Sequence, residues 1–122
     1  MNPVLDMDFA DPAVLRDPDG VFYVYGTQAN PGGRMLNIQV ARSDDLVRWQ
    51  HLGDALPEKA SWAATKQQYW APHVLYDGER RRYVMYYSAE PDHTPGKCLA
   101  VATADAPAGP FIDSGSPLLC GE

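Results

Sequence analysis

The sequence predicts an all-β chain built as two four-stranded antiparallel blades of a β-propeller, and three observations carry that prediction. Ten glycines and eleven prolines cut the 122 residues into short segments. The segments between them are β-branched and aromatic, as in Val-Phe-Tyr-Val-Tyr at 21–25 and Arg-Tyr-Val-Met-Tyr-Tyr at 82–87. The third observation is an internal repeat. A gapless shift of 60 residues pairs Pro12 with Pro72, Val14 with Val74, Leu15 with Leu75, Tyr23 with Tyr83 and Val24 with Val84. A shift of 61 then pairs Val40 with Val101, Ala41 with Ala102 and Asp44 with Asp105. Each copy reads hairpin, loop, strand, turn, strand, which is the unit of a propeller blade, with a period longer than the ~40 to 50 residues of short-blade families. The extra length falls in Gln28 to Met35 and Glu58 to Gln68.

Taken in order, Pro12 to Leu15 and Val21 to Tyr25 form the first hairpin around Asp17-Pro18-Asp19-Gly20, where proline presets φ and glycine accepts a positive one. Asn37 to Ala41 is the third strand and Trp49 to Leu52 a weaker fourth, with Ser43 to Trp49 a turn or short helical piece between them. The second copy runs through Pro72 to Leu75, the turn Asp77-Gly78-Glu79-Arg80, Arg82 to Tyr87, Cys98 to Thr103 and Phe111 to Asp113. Trp49 and Phe111 fall at matching places and read as packing residues, Glu79 to Arg82 as a solvated turn, and His51 and His93 as loop residues. No segment carries helical periodicity.

With 45% apolar and 11% aromatic residues the chain can bury a core. Sixteen acidic against ten basic side chains leave a formal charge of -6, which argues against nucleic acid and against an anionic membrane as partners. No run approaches the roughly 18 to 20 apolar residues of a membrane span. The first ten residues carry Asp6 and Asp8 where a secretory signal needs Lys or Arg, so the expectation is a cytoplasmic protein as written, or an extracellular one whose native signal was removed. Cys98 and Cys120 are too few for a disulfide scaffold and lack CxxC spacing; they read as small core residues, their disulfide state left open.

A set of motifs carries more specific information. Asp8-Phe9-Ala10-Asp11-Pro12-Ala13-Val14, Tyr23-Val24-Tyr25-Gly26-Thr27, Ala41 to Trp49, Trp70-Ala71-Pro72-His73-Val74 and Val101 to Phe111 together resemble the opening blades of family 43 glycoside hydrolases. That family includes β-xylosidases, α-L-arabinofuranosidases and arabinanases on a five-bladed β-propeller. The resemblance implies a partial propeller catalytic domain over 1–122, with blade 1 at about 8–57 and blade 2 at about 68–120. It implies hydrolysis of arabinose- or xylose-containing plant polysaccharides or oligosaccharides with inversion, and no required cofactor; a structural calcium in the propeller channel stays open, with ligands from residues outside this segment, and no metal site is assigned within it.

Residue by residue, the resemblance makes Asp11 the general base that activates water at the anomeric carbon. Inversion needs two carboxyl groups on opposite faces of the sugar, ~6.5 to 9.5 Å apart. Pro12 restricts the backbone of Asp11 toward the extended region. On the residues alone Asp11 also reads as a turn carboxylate capping an amide. Trp70 and Ala71 match the segment lining the sugar subsite, where a flat indole suits the C–H face of a sugar ring; a core tryptophan is the other reading. Phe9 lines the pocket or belongs to the core. His73 points away from Pro72 and Val74 in a strand and reads as a subsite or structural hydrogen-bonding residue. The resemblance further implies a second Asp and a general acid Glu in later blades. The chain reaches Leu118-Leu119-Cys120-Gly121-Glu122 where a third blade is expected, and neither Glu90, Asp92 nor Glu122 matches those positions. The expected partners are therefore a pentose-containing saccharide and the rest of the propeller, from the same or another chain or from copies of this one. The alternative is a non-catalytic carbohydrate-binding or interaction module.

Overall fold

A computed structural model describes residues 5–121; the first four residues of the N-terminal segment and Glu122 lie outside the described residues. The first sheet has strands β1 (Ala13–Arg16), β2 (Phe22–Gly26), β3 (Gln39–Ser43) and β4 (Gln50–Asp54), paired antiparallel in chain order. The second has β5 (Gln67–Asp77), β6 (Arg82–Glu90), β7 (Cys98–Ala104) and β8 (Ile112–Asp113), again in chain order, with β9 (Leu119–Cys120) also on β7. Ser114 and Leu118 donate their amides to the carbonyls of Val101 and Leu99, so β8 and β9 are one interrupted outer strand. Two four-stranded antiparallel meanders are the two blades that the repeat predicts.

The repeat register needs one correction. In the first hairpin Leu15 faces Tyr23, whereas in the second Leu75 faces Val84. From β6 onward the structural offset is therefore 61, and Tyr23 corresponds to Val84 rather than to Tyr83. A slip of one residue turns a strand's side chains to the opposite face. Tyr83 accordingly lies buried toward blade 1, while the valine at 84 is only half-buried.

The core lies between the blades. Tyr25, Ile38, Val40 and Leu56 of blade 1 meet Tyr69, Val74, Met85 and Phe111 of blade 2, with Tyr25 and Phe111 edge to face at 6.1 Å between centroids. Polar bonds cross the same seam. Tyr25 donates its hydroxyl to the Pro107 carbonyl at 2.6 Å, the Phe111 amide reaches the Ala55 carbonyl at 2.8 Å, and the Tyr83 hydroxyl donates to the buried Asp17 carboxylate. Gly109 is required there: with φ +94, a Cβ would stand 2.6 Å from the Ala55 oxygen.

Two further expectations change and one alternative is decided. Cys98 and Cys120 are not a pair of core residues but a disulfide that fastens β9 to β7, with Cys98 buried and Cys120 exposed. Of the two readings of Ser43 to Trp49 the turn is the one that forms, residues 44–48 being bends because the Ser43 hydroxyl and the Asp45 carboxylate take up the Asp45 to Arg48 amides. His51 belongs to strand β4, half-buried, with Nε2 at 3.1 Å from Gln39 Oε1; burial lowers its pKa.

Candidate active site

The segments before β1 and at the start of β5 lie together at one end of the two blades, and their backbones are unusual. Asp11, Gln67, Gln68 and Ala71 have φ of 52, 65, 49 and 47, a left-handed region that side chains rarely adopt. Asp11 is thus not extended, contrary to the expectation from Pro12. Such strain costs on the order of 1 to 3 kcal/mol per residue and persists where surrounding contacts over-determine it.

Those contacts come from the two residues after β2. Thr27 donates its amide to the Ala10 carbonyl at 3.0 Å and its hydroxyl to Asp11 Oδ2 at 2.6 Å, and its Oγ1 accepts the Ala71 amide at 3.0 Å. Gln28 donates its amide to the Tyr69 carbonyl at 2.9 Å and its side-chain Nε2 to Gln67 Oε1 at 3.0 Å. Thr27 therefore ties the carboxylate of blade 1 to the Trp70-Ala71 segment of blade 2. Because the hydroxyl proton is committed to Asp11, the oxygen lone pairs are free for the Ala71 amide, and the chain of donors runs one way. Asp11 Oδ1 takes no protein donor among the described residues, which leaves it available to a water molecule.

Trp70 is 45% exposed, a large apolar side chain left open beside this relay. Lys97 Nζ stands 3.3 Å from the centre of its ring and donates to the Gln68 carbonyl at 2.7 Å. Partial burial lowers the pKa of that ammonium, with Glu90 opposing. His73 is exposed and alternates with buried Pro72 and Val74, and it faces Tyr86 across the β5–β6 ladder. Phe9 is placed differently. Its ring fills the space over Gly26, where a Cβ would come within 2.6 Å of it, and packs edge-on against His51. It also lines an apolar cavity of about 320 Å³ with Val14, Val24 and Trp49 on the side of blade 1 away from blade 2.

Two carboxylates without a matched role in the sequence have structural ones. Asp92 accepts the amides of Ala64, Thr65 and Lys66, and these bonds, Lys66 first, hold its pKa below the ordinary carboxylate value. Glu90 is 3.9 Å from Lys66. Asp113, a further acid, accepts from Trp62 Nε1 at 3.1 Å and from the Tyr87 hydroxyl, whose pKa burial raises. Thr27 and Lys97 were missed by sequence reasoning. Thr27 stood in a recognised motif, but a contact spanning 44 residues leaves no local trace.

Antiparallel four-stranded blades stacked about a shared core, with a strained carboxylate and an open indole at one end, define two blades of a β-propeller. The sequence model for glycosyl hydrolases family 43 matches residues 1–120, and the chain belongs to that family. It is 32% identical over 120 residues to an extracellular endo-α-(1→5)-L-arabinanase of Thermotoga petrophila, an alignment covering 81% of this chain and 23% of that protein. Its fold is similar to that of a thermostable family-43 glycoside hydrolase, with TM-score 0.77, 28% identity, and coverage of 97% of this chain and 36% of the other. A family-43 enzyme from Xanthomonas citri, solved with xylose, matches with TM-score 0.76 and 26% identity over 94% of this chain and 34% of its own. An exo-β-1,3-galactanase from Phanerochaete chrysosporium, solved with galactose, gives TM-score 0.72 and 25% identity over 89% and 26%. The chain thus spans about a quarter to a third of the length of these relatives.

Proposed function

We propose that this chain supplies the base-bearing blades of an inverting glycoside hydrolase acting on arabinose- or xylose-containing saccharides, with Asp11 as general base. The observation that carries the reading is the Thr27 bridge, which holds one carboxylate oxygen and presents the other beside an exposed tryptophan. A base positioned by a donor to one oxygen can take a proton from water on the other. Trp70 and Ala71 form the sugar platform, and His73 flanks it. Phe9 serves the site from beneath, its ring spent on Gly26 and His51 rather than on the sugar. The pentose preference is supported by the arabinanase relative and by the xylose-bound neighbour, and the galactanase neighbour sets the competing substrate class.

The partner in this reading is the rest of a propeller. Blade 1 turns Val14, Val24 and Ala41 to the face that in blade 2 is occupied by Val74, Met85 and Ala102, all buried on blade 1. On blade 2, Leu75, Leu99 and Ile112 remain exposed on the opposite face. Further blades, from the same or another polypeptide, cover both faces. We also read the protein as extracellular, in place of the cytoplasmic expectation, because a structural disulfide persists in oxidising compartments and the arabinanase relative is an extracellular protein.

The test uses the assembled enzyme with 4-nitrophenyl α-L-arabinofuranoside, β-D-xyloside and β-D-galactoside. Asp11→Asn is expected to lower kcat/KM on a pentoside by ~10² to 10⁴ with an inverted product anomer in the parent enzyme. Unchanged turnover by Asp11→Asn sinks the assignment of the base, and turnover of the galactoside alone sinks the substrate class. Saccharide binding without any turnover would favour the carbohydrate-binding alternative.

A further inference from the structure

We infer that Lys97 is the positioning residue of the Trp70 platform, an assignment that rests on the reading of Trp70 as the surface a sugar meets. The stretch 67–71 holds three left-handed residues, Gln67, Gln68 and Ala71, and its ladder pairing to β6 is irregular on both sides of Trp70. Regular strand bonds therefore do not orient the indole. One ammonium does so instead: Lys97 Nζ donates to the Gln68 carbonyl at 2.7 Å and lies 3.3 Å from the Trp70 ring centre, gripping two residues of the same strained stretch. Among the described residues Lys97 has no carboxylate within ion-pair distance. The indole face and the carbonyl are what holds it.

Lys97 is itself anchored. The Gly121 amide donates to its carbonyl at 2.9 Å, and Cys98, the next residue, is disulfide-bonded to Cys120. A line of contacts thus runs from the disulfide through Lys97 to Trp70, and from Ala71 through Thr27 to Asp11. A cation held on an aromatic face favours one ring orientation. A platform already oriented spares a ligand that ordering cost on binding.

Lys97→Met keeps the aliphatic stem and removes the charge, and Lys97→Arg restores a cation that stacks on aromatic faces. Trp70 is read by fluorescence emission and acrylamide quenching, each taken as the difference from the same protein carrying Trp70→Phe. Saccharide affinity is read by titration with arabinotriose and xylotriose. Lys97→Met is expected to raise quenching of Trp70 and to weaken saccharide binding about fivefold, with both restored by Lys97→Arg. Unaltered quenching and affinity in Lys97→Met overturn the inference, as does an arginine variant that behaves like methionine. If quenching rises with methionine and reverts with arginine while the parent protein binds neither saccharide, Lys97 still positions Trp70 and the proposed function is what fails.

Discussion

The blades must stay in register for Asp11 to meet the Trp70 segment, and Tyr83→Phe tests a buried side-chain bond that crosses their seam. The Tyr83 hydroxyl donates to Asp17, and the two residues are 6% and 8% exposed. Burial raises the Asp17 pKa above its ordinary 3.8, opposed by the Tyr83 bond, with Asp19 adding to the rise. Well above that raised value Asp17 is a buried carboxylate, and removing its donor strands a charge. The cost of losing such a bond is about 2 to 3 kcal/mol. For 122 residues each kcal/mol corresponds to about 4 °C in Tm, so the loss is about 8 to 12 °C at pH 8. The pH dependence has a definite sign. Because the folded pKa is raised, the folded state binds more protons than the unfolded one between the two values, and this group's contribution to stability falls as pH rises through that window. Below it Asp17 is protonated in both states, the lost bond joins two neutral groups, and the deficit shrinks to about 1 kcal/mol. Urea and thermal unfolding of parent and variant at pH 8 and pH 3 measure both quantities. A deficit under about 0.5 kcal/mol at pH 8, or the same deficit at both pH values, refutes the reasoning.

Thr27→Val keeps the branched shape and removes the hydroxyl that joins Asp11 to Ala71. It is expected to cost about 1 to 1.5 kcal/mol, reduced from a buried charge-assisted bond because the pair is exposed, and to lower kcat/KM on the order of tenfold or more. A double-mutant cycle with Asp11→Ala should show coupling of about 1 kcal/mol, and additivity within ~0.3 kcal/mol would contradict the bridge. Cys120→Ala opens a loop of sequence separation 22 and is expected to lower stability by about 3 kcal/mol on chain-entropy grounds. The parent protein heated with excess dithiothreitol should melt with the variant; a parent Tm indifferent to reductant would show that β9 is held without the sulfur bridge.

Much of the architecture was legible in the chain. The strand runs are local, since Tyr, Val and Phe between Gly, Pro and Asp turns extend over a few residues regardless of what covers them. The place of His73 on the face opposite Pro72 and Val74 follows from alternation, and Phe111 is buried as expected, whereas Trp49 is only half-buried and lines the apolar cavity of blade 1. The register of the second hairpin was not legible, because Tyr23 and Tyr83 are identical residues in non-equivalent positions and identity counts cannot see one extra residue in a turn. Nor was the disulfide: nothing in the spacing of Cys98 and Cys120 says that the outer strand breaks at residues 114–118 and returns to β7.

The site divides in the same way. The family resemblance nominated Asp11, Phe9, Trp70, Ala71 and His73 as site candidates, and of these the fold ties the Asp11 carboxylate to the Trp70-Ala71 segment through Thr27. The conformation of Asp11 was decided by the fold. A residue before proline prefers extended backbone, yet Asp11 sits at φ 52, held by a hydroxyl sixteen residues along the chain that is in turn bonded to an amide forty-four residues further on. The local preference is worth little against such bonds, and they form only once two blades share a core. What the sequence determined by itself was which groups are present and which strands carry them; the tertiary structure alone decided which groups meet, because the contacts that orient Asp11 and Trp70 join segments with no proximity along the chain.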